Sequence, residues 1–283
     1  MRRPIALATA LAVFGVAASA CALPIVGASA NTLPAGAFMM DTYFLWRDFS
    51  REYNSSLHGP DEGGWIDLPE DRELSFIDLT PRLYYGATDW LTIRASLPLA
   101  DRYVRTDEVE DTNTGLGDIV IDPKIRIYQS EDLAVRFSIL TGVRLPTGDT
   151  DNAPALSDGS TGYLAGAALT HPAGCMNVHW CGTYWMNGER ESGTDAKDLG
   201  IGLLSIENPV TAEWTLLLEF KGYMGFEDSD FRRLYACPGA MWNGERLNIG
   251  ISTMISVVGE GSQSVSPVDF DWAPYVRAYY RFF

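Results

Sequence analysis

Beyond residue 30, no stretch of this chain sustains a helical period. What recurs instead is alternation of apolar and polar residues at every second position, the signature of strands with two unlike faces. In the clearest case Ile119, Ile121, Pro123, Ile125 and Ile127 share one face, and Asp118, Asp122, Lys124, Arg126 and Tyr128 share the other. Trp214, Leu216, Leu218, Phe220 and Met224 likewise oppose Glu219, Lys221 and Tyr223. Leu247, Ile249, Ile251, Ile255 and Val257 oppose Asn248, Gly250, Ser252 and Ser256, while Leu133, Val135, Phe137, Ile139 and Val143 oppose Arg136, Ser138 and Arg144. About twelve such segments follow one another, beginning near Phe38, Glu73, Trp90, Gly115, Leu133, Thr161, Val178, Asp198, Glu213, Phe231, Arg246 and Phe270.

The connections alternate too. Short ones carry turn residues, at 86–89, 129–132, 171–174, 208–211 and 243–246. Longer polar ones fall between them, at 53–72, 104–114, 147–160, 189–197 and 259–269; the short connection at 227–230 departs from the pattern. Short turns at one end and long loops at the other are expected of a transmembrane β-barrel with an even strand count. At about 21 residues per strand and connection, twelve strands need roughly 252 residues, and 253 of the 283 follow residue 30. One all-β domain, a single antiparallel transmembrane barrel of about 12 strands over residues 31–283, therefore accounts for the chain. A soluble sandwich also alternates, but lipid offers the backbone no hydrogen bonds, so a sheet that spans a membrane must close.

The first 30 residues read as an export signal. Arg2 and Arg3 precede an uncharged apolar run from Ile5 to Ala20, and Ala28-Ser29-Ala30 supplies a small-x-small cleavage site. Ala18-Ser19-Ala20-Cys21 loosely resembles a lipoprotein signal, so acylation of Cys21 and cleavage after Ala30 both stand open. Export directs an alternating barrel to the outer membrane of a Gram-negative cell. The last strand agrees, because Val276, Ala278, Tyr280 and Phe282 alternate with Arg277 and Arg281, and Tyr280, Phe282 and Phe283 form an aromatic terminus of the kind barrel-assembly machinery reads.

Composition narrows the partners. The net charge of -16 repels phosphate backbones, which argues against nucleic acid. A mean hydropathy of -0.04 is too polar for a helical membrane protein. Acidic residues crowd the long loops: Asp61, Glu62, Asp67, Glu70 and Asp71, then Asp107, Glu108, Glu110 and Asp111, then Asp149, Asp151 and Asp158. These suit a solvated outer surface facing membrane lipid and lipopolysaccharide. Asp149-Thr150-Asp151-Asn152 lacks EF-hand spacing, so no metal is assigned. Cys175 and Cys181 are near enough in sequence for a small bridge across a turn; otherwise they and Cys237 are buried or lipid-facing thiols. Nothing in the pattern calls for a cofactor. The three histidines, His58, His171 and His179, and the lack of a Gly-x-Ser-x-Gly give no catalytic constellation, so no enzyme is expected.

Charged residues at mid-membrane depth cost about 2–4 kcal/mol on the lipid face, so those that alternate with Ile and Leu face inward. The candidate lumen residues are Arg94, Asp118, Asp122, Lys124, Arg126, Arg136, Arg144, Glu219, Lys221, Arg277 and Arg281. They form either a charged pore wall or a salt-bridged plug; mixed signs on one strand (Asp122, Lys124, Arg126) favour pairing for part of the wall. Trp46, Tyr84, Tyr85, Trp90, Trp214, Trp242, Trp272 and Tyr280 suit interfacial girdles.

Gly115-Leu116-Gly117-Asp118 running into Pro123-Lys124-Ile125-Arg126, then Gly142-Val143-Arg144-Leu145-Pro146-Thr147-Gly148-Asp149 and Gly159-Ser160-Thr161-Gly162, together resemble a family of outer-membrane channels named for a phenol-degradation (meta-pathway) operon. The resemblance covers residues 75–170 best and departs at 174–181, leaving the bounds of the seventh strand open. It implies a transporter for hydrophobic or aromatic compounds. The expectation is thus a porin-like channel for passive passage of small solutes, hydrophobic or aromatic ones included. The alternative is a structural or adhesive barrel with a plugged lumen.

Overall fold

The computed structural model describes residues 24–26, 28–59, 62–189, 198–226, 232–260 and 268–282. Among these there is no helix. The strands are β1 (Phe38–Asp48), β2 (Arg51–Gly59), β3 (Glu62–Asp67), β4 (Glu73–Thr88), β5 (Leu91–Ser96), β6 (Leu99–Arg105), β7 (Glu110–Leu116), β8 (Ile119–Gln129), β9 (Arg136–Leu145), β10 (Gly162–Ala173), β11 (Met176–Asn187), β12 (Leu199–Pro209), β13 (Trp214–Gly225), β14 (Arg232–Asn243), β15 (Leu247–Glu260), β16 (Val268–Asp269) and β17 (Trp272–Arg281).

Twelve of them close one antiparallel barrel in the order β1, β4, β5, β8, β9, β10, β11, β12, β13, β14, β15, β17. Closure is made by β1, which pairs with β17 on one side (Met39↔Arg281 to Leu45↔Tyr275) and with β4 on the other (Phe38↔Tyr85 to Asp48↔Ser75). No edge is left unpaired there, which is what lipid demands of a sheet. Each of the twelve expected segments corresponds to one barrel strand and starts within four residues of it. The seventh is β11, Met176–Asn187.

Two strands are longer than the alternation suggests, and interrupted. β5 continues as β6 after Leu97-Pro98, and β7 precedes β8 across Gly117-Asp118. Leu97 N donates to Pro81 O at 3.0 Å and Gly117 N to Pro98 O at 2.7 Å, so hydrogen bonding carries through both breaks. The β6–β7 hairpin thereby extends the wall beyond β5 and β8.

Short turns gather at one end and the long connections at the other, where β2, β3 and β16 form a small separate sheet. Asp269 fixes that sheet to the barrel: its buried carboxylate accepts from Tyr235 Oη at 3.0 Å and Ser256 Oγ at 3.1 Å and lies 3.5 Å from Arg233 Nη1. Phe270 stacks on Tyr235, with ring centroids 5.1 Å apart, and closes this end of the interior.

The two faces of the wall differ as the alternation requires. Ile249, Ile251, Ile255 and Val257 of β15 are exposed while Asn248 and Met254 are buried; Trp214, Leu216 and Leu218 of β13 are exposed while Thr215, Leu217 and Glu219 are buried. A closed barrel with an apolar exterior and polar groups turned inward is the architecture of the bacterial outer membrane. Two expected orientations are corrected. A register shift in β8 between Arg126 and Tyr128 breaks the period, so Tyr128 is exposed beside Ile127 rather than inward with Arg126. Tyr84, expected in an interfacial girdle, points into the lumen because its neighbour Tyr85 takes the outward position.

Candidate functional site

The interior is occupied by the chain's own N-terminal segment. Residues 24–26 and 28–36 form a strap across the lumen before β1 begins, its end tied to the 86–89 turn through Gly36 N to Gly86 O and Ala35 N to Asp89 Oδ1. Glu219 Oε2 accepts from Ile25 N at 3.1 Å and Val26 N at 2.8 Å. Arg277 Nη1 donates to the carbonyls of Pro24 at 2.7 Å and Ile25 at 3.0 Å. Further along, Ala30 N donates to Thr170 Oγ1 at 2.9 Å, Ser138 Oγ to Ala30 O at 2.7 Å, and Leu33 N to Thr92 Oγ1 at 2.7 Å. Strand glycines make room for it: a Cβ on Gly86 would stand 2.0 Å from Pro34 O, and one on Gly250 would stand 2.7 Å from Ile25.

The strap divides the lumen unevenly. Beneath β14, β15 and β17 the space is filled by Tyr235, Cys237, Met241, Met254, Tyr275 and Tyr279, packed with Ile25. On the other side a cavity of ≈ 260 Å³ remains between strap and wall. Part of its wall is ionic. Asp41 receives Arg82 Nε at 2.6 Å and Arg277 Nη2 at 2.6 Å, and Arg94 Nε reaches Asp122 Oδ1 at 2.7 Å. Lys124 Nζ donates to the strap carbonyls of Ser29 at 2.7 Å and Asn31 at 3.1 Å. The adjoining wall, from β9 to β12, contributes Leu140, Leu164, Trp185, Ile201 and Leu203.

Of the expected lumen residues, Arg94, Asp122, Lys124, Lys221 and Arg277 line this cavity. Glu219 is buried under the strap, and Arg136 donates to Asn31 Oδ1 at 3.0 Å. Arg281 reaches Asn248 Oδ1 at 3.2 Å at the short-turn end, and Arg126 is half-buried beside the β8 bulge. Arg144 and Asp118 belong to a different place, at the far end of β8 and β9. Of the terminal aromatics, Tyr280 and Phe282 pack edge to face at 4.9 Å between centroids, and Phe283 lies outside the described residues.

That other place gathers the recurrent glycine motifs. β9 stops at Leu145, so β7 has no strand beside it on that edge among the described residues. A loop fills the gap. Thr147 Oγ1 donates to Gly117 O and accepts from Ile119 N, both at 3.0 Å. Gly148 N donates to Asp118 Oδ1 at 3.2 Å, and Asn113 Nδ2 to Asp149 Oδ2 at 3.1 Å. Arg144 holds the loop's return with Ser160 Oγ at 2.7 Å and Asp158 Oδ1 at 3.4 Å. Hydrogen bonds from Asn152, from the Asp151 amide and from Asn113 keep the Asp149 carboxyl below the usual range. In the neighbouring loops Asp107 goes the other way, raised by its hydrogen bond and like charge with Asp71.

Sequence reasoning missed several interior groups. Asp41 and Arg82 pair directly across β1 and β4, and neither stands among the charged residues that the alternation singled out. Thr170, His179 and Glu207 form a buried chain under the strap, with Thr170 Oγ1 2.8 Å from His179 Nδ1 and His179 Nε2 3.2 Å from Glu207 Oε2. Only the period-two pattern of β10, β11 and β12 could have signalled them. The bridge weighed between Cys175 and Cys181 does not form: Cys175 is exposed at a turn, Cys181 is buried along β11, and all three described cysteines are free. Six residues of extended strand span roughly 20 Å, beyond the ~7 Å reach of a disulfide.

The family model described as "Putative MetA-pathway of phenol degradation" matches residues 74–255. The chain belongs to this family. The match runs well past the 75–170 region where the motifs are strongest, to the β15 wall. Among solved structures the barrel is similar to an outer membrane channel from Pseudomonas putida F1, with a TM-score of 0.72 at 15% identity over 92% of this chain and 100% of that one. It is similar also to the NanC porin, with a TM-score of 0.52 at 7% identity over 86% of this chain and 100% of that one. At such identities the likeness is one of fold. A comparison with curated protein sequences finds no match.

Proposed function

We propose that this barrel is a passive outer-membrane channel for small solutes with hydrophobic or aromatic bodies. The observation that carries the reading is the cavity between strap and wall, with an apolar side formed by Leu140, Leu164, Trp185, Ile201 and Leu203. Pockets that bind organic molecules combine such apolar lining with a few placed polar groups, and the adjoining strands supply them. Family membership and the fold of the Pseudomonas putida channel support the same reading. Passage would run from the acidic loops, along the cavity, past the strap and out at the short turns. The seam between β7 and β9, closed by a loop rather than by strand pairing, offers a hydrophobic solute a second way out through the wall. No energy source or cofactor enters this mechanism, and the fold relatives are channels rather than enzymes.

The strap favours a second reading. A lumen tied across by so many hydrogen bonds suits a structural or adhesive barrel whose loops bind lipopolysaccharide or another surface partner. Removing residues 53–72 separates the two. Altered solute flux through proteoliposomes supports the channel. Lost cell-surface adhesion with unchanged flux supports the structural barrel.

A further inference from the structure

The lining of the cavity has a sign as well as a polarity. Five cationic side chains, Arg82, Arg94, Lys124, Lys221 and Arg277, line it against a single carboxylate, Asp122. Two more carboxylates stand at its margin, Asp41 between Arg82 and Arg277, and Glu219 under the strap. Five cations against three anions leave an excess of two positive charges, inside a chain whose net charge is -16. The excess is not dispersed by ion pairing. Asp41 is shared by two guanidinium groups, Asp122 is taken up by Arg94, and among the described residues neither Lys124 nor Lys221 has a salt bridge. Lys124 is turned to neutral acceptors, the carbonyls of Ser29 and Asn31.

These charges are also grouped. Arg277, Arg82, Arg94 and Lys124 come from β17, β4, β5 and β8, which with β1 make one continuous arc of wall. Leu140, Leu164, Trp185, Ile201 and Leu203 come from β9 to β12, the next arc of wall, where Leu140 pairs with Lys124 at one side and Leu203 with Lys221 of β13 at the other. A cation excess inside a barrel is costly without a counter-charge, and low-dielectric walls focus its field on the space between them. The acidic loops do not cancel it. Lys124 lies five residues from the loop end of β8, roughly 17 Å of strand, and salt screens exposed charges beyond about 8 Å.

We infer that the cavity takes a small amphipathic organic anion: a carboxylate, or an acid of like charge, carried on one aromatic ring or a short aliphatic chain. The head group meets the Arg94, Lys124 and Arg277 arc, and the body lies on the β9–β12 wall. A volume of ≈ 260 Å³ is just below the ~300 Å³ at which pockets for drug-sized ligands begin, so the solute is smaller than a drug-sized molecule. The head group also competes with Ser29 and Asn31 for Lys124, so its arrival loosens the strap at the point where the strap crosses the path. This assignment rests on the channel reading above and narrows its solute.

The test compares isosteric probes on the full refolded barrel in lipid nanodiscs, by calorimetric titration corrected with protein-free nanodiscs. The probes are 3-phenylpropionate, 3-phenylpropanol, 3-phenylpropylammonium and propionate. The expected order is 3-phenylpropionate at least tenfold tighter than each of the other three. Lys124→Met should weaken the phenylpropionate at least fivefold and leave the alcohol unchanged. If that variant fails to fold, the wild-type order alone decides. Equal or tighter binding of the alcohol or the ammonium, or no binding of any probe to a barrel that conducts ions, overturns the anion assignment and leaves the channel standing. A folded barrel that neither conducts nor binds any probe removes the channel reading and the assignment with it.

Discussion

Asp41 and Arg277 stand 236 positions apart in the chain, and their side chains meet at 2.6 Å inside the seam where the first and last barrel strands join. Arg82, on the strand at the other side of β1, binds the same carboxylate at 2.6 Å. One buried acid therefore ties three neighbouring strands at the point of closure. Asp41→Asn should leave two guanidinium groups facing each other without a counter-charge. Breaking a buried pair costs about 3–5 kcal/mol, so the variant should lose that much in urea-unfolding experiments in detergent. An unchanged midpoint would mean that closure does not depend on this cluster.

The strap makes a claim about processing. Pro24, Ile25 and Ala30 are held by Glu219, Arg277, Ser138 and Thr170, and cleavage after Ala30 would discard most of that network. Ala18-Ser19-Ala20 is a small-x-small site as well. The geometry favours cleavage there, so intact-mass measurement of protein from outer membranes should give a chain starting at Cys21. A chain starting at Asn31 would show that the strap is shorter than the one described. If the strap does bar the path, deleting residues 24–30 should raise conductance several-fold. Gly86→Ala, which sets a methyl group against Pro34, should raise it in part.

How much of this could be read from the residues follows from what each side chain faces. The barrel strands were legible because one face of each meets lipid, where Ile249 or Leu216 is cheap and a charge is not. The break at Pro98 was hidden because β6 faces water near the loop end and its pattern blurs. Asp118 and Arg144 alternate as lumen residues do, yet they hold a loop at the β7–β9 seam, since alternation reports the face of a strand and not its height. The strap was not legible at all: Pro24–Ala30 reads as the tail of an export signal, and its partners lie 95 to 255 residues away. The cationic arc was half legible. Arg94, Lys124 and Arg277 stood out singly, but only closure of the barrel puts them side by side.

At the seam, Arg144→Ala removes the contacts to Ser160, Asp158 and Asp118. These ion pairs are long and partly solvated, so global stability should change by about 1 kcal/mol or less. The local effect should be plain: limited proteolysis should cut within residues 147–160 several-fold faster. Equal cutting rates would mean that Thr147 and Gly148 close the seam unaided.

The loops should answer acid in opposite senses. Asp149 has its pKa lowered by hydrogen bonds, so its contribution to loop order is present above the unfolded carboxyl pKa of about 3.9 and is lost as pH falls through the lower folded value. Asp107 has its pKa raised by Asp71, so that contact is fully present below about pH 3.9 and is lost as pH rises through the raised folded value. Hydrogen exchange between pH 2.5 and 6 should show protection falling near Asp149 and rising near Asp107 as the solution is acidified. Parallel changes in both loops would contradict the assignment.

An open path through the lumen would show itself in single-channel recording of the refolded protein in a planar bilayer. Discrete, small current steps are expected, with a reversal potential in a salt gradient that reports anion preference, and a shift of both on Lys124→Ala. Electrical silence from barrels shown to be folded, persisting when residues 24–30 are deleted, would contradict it.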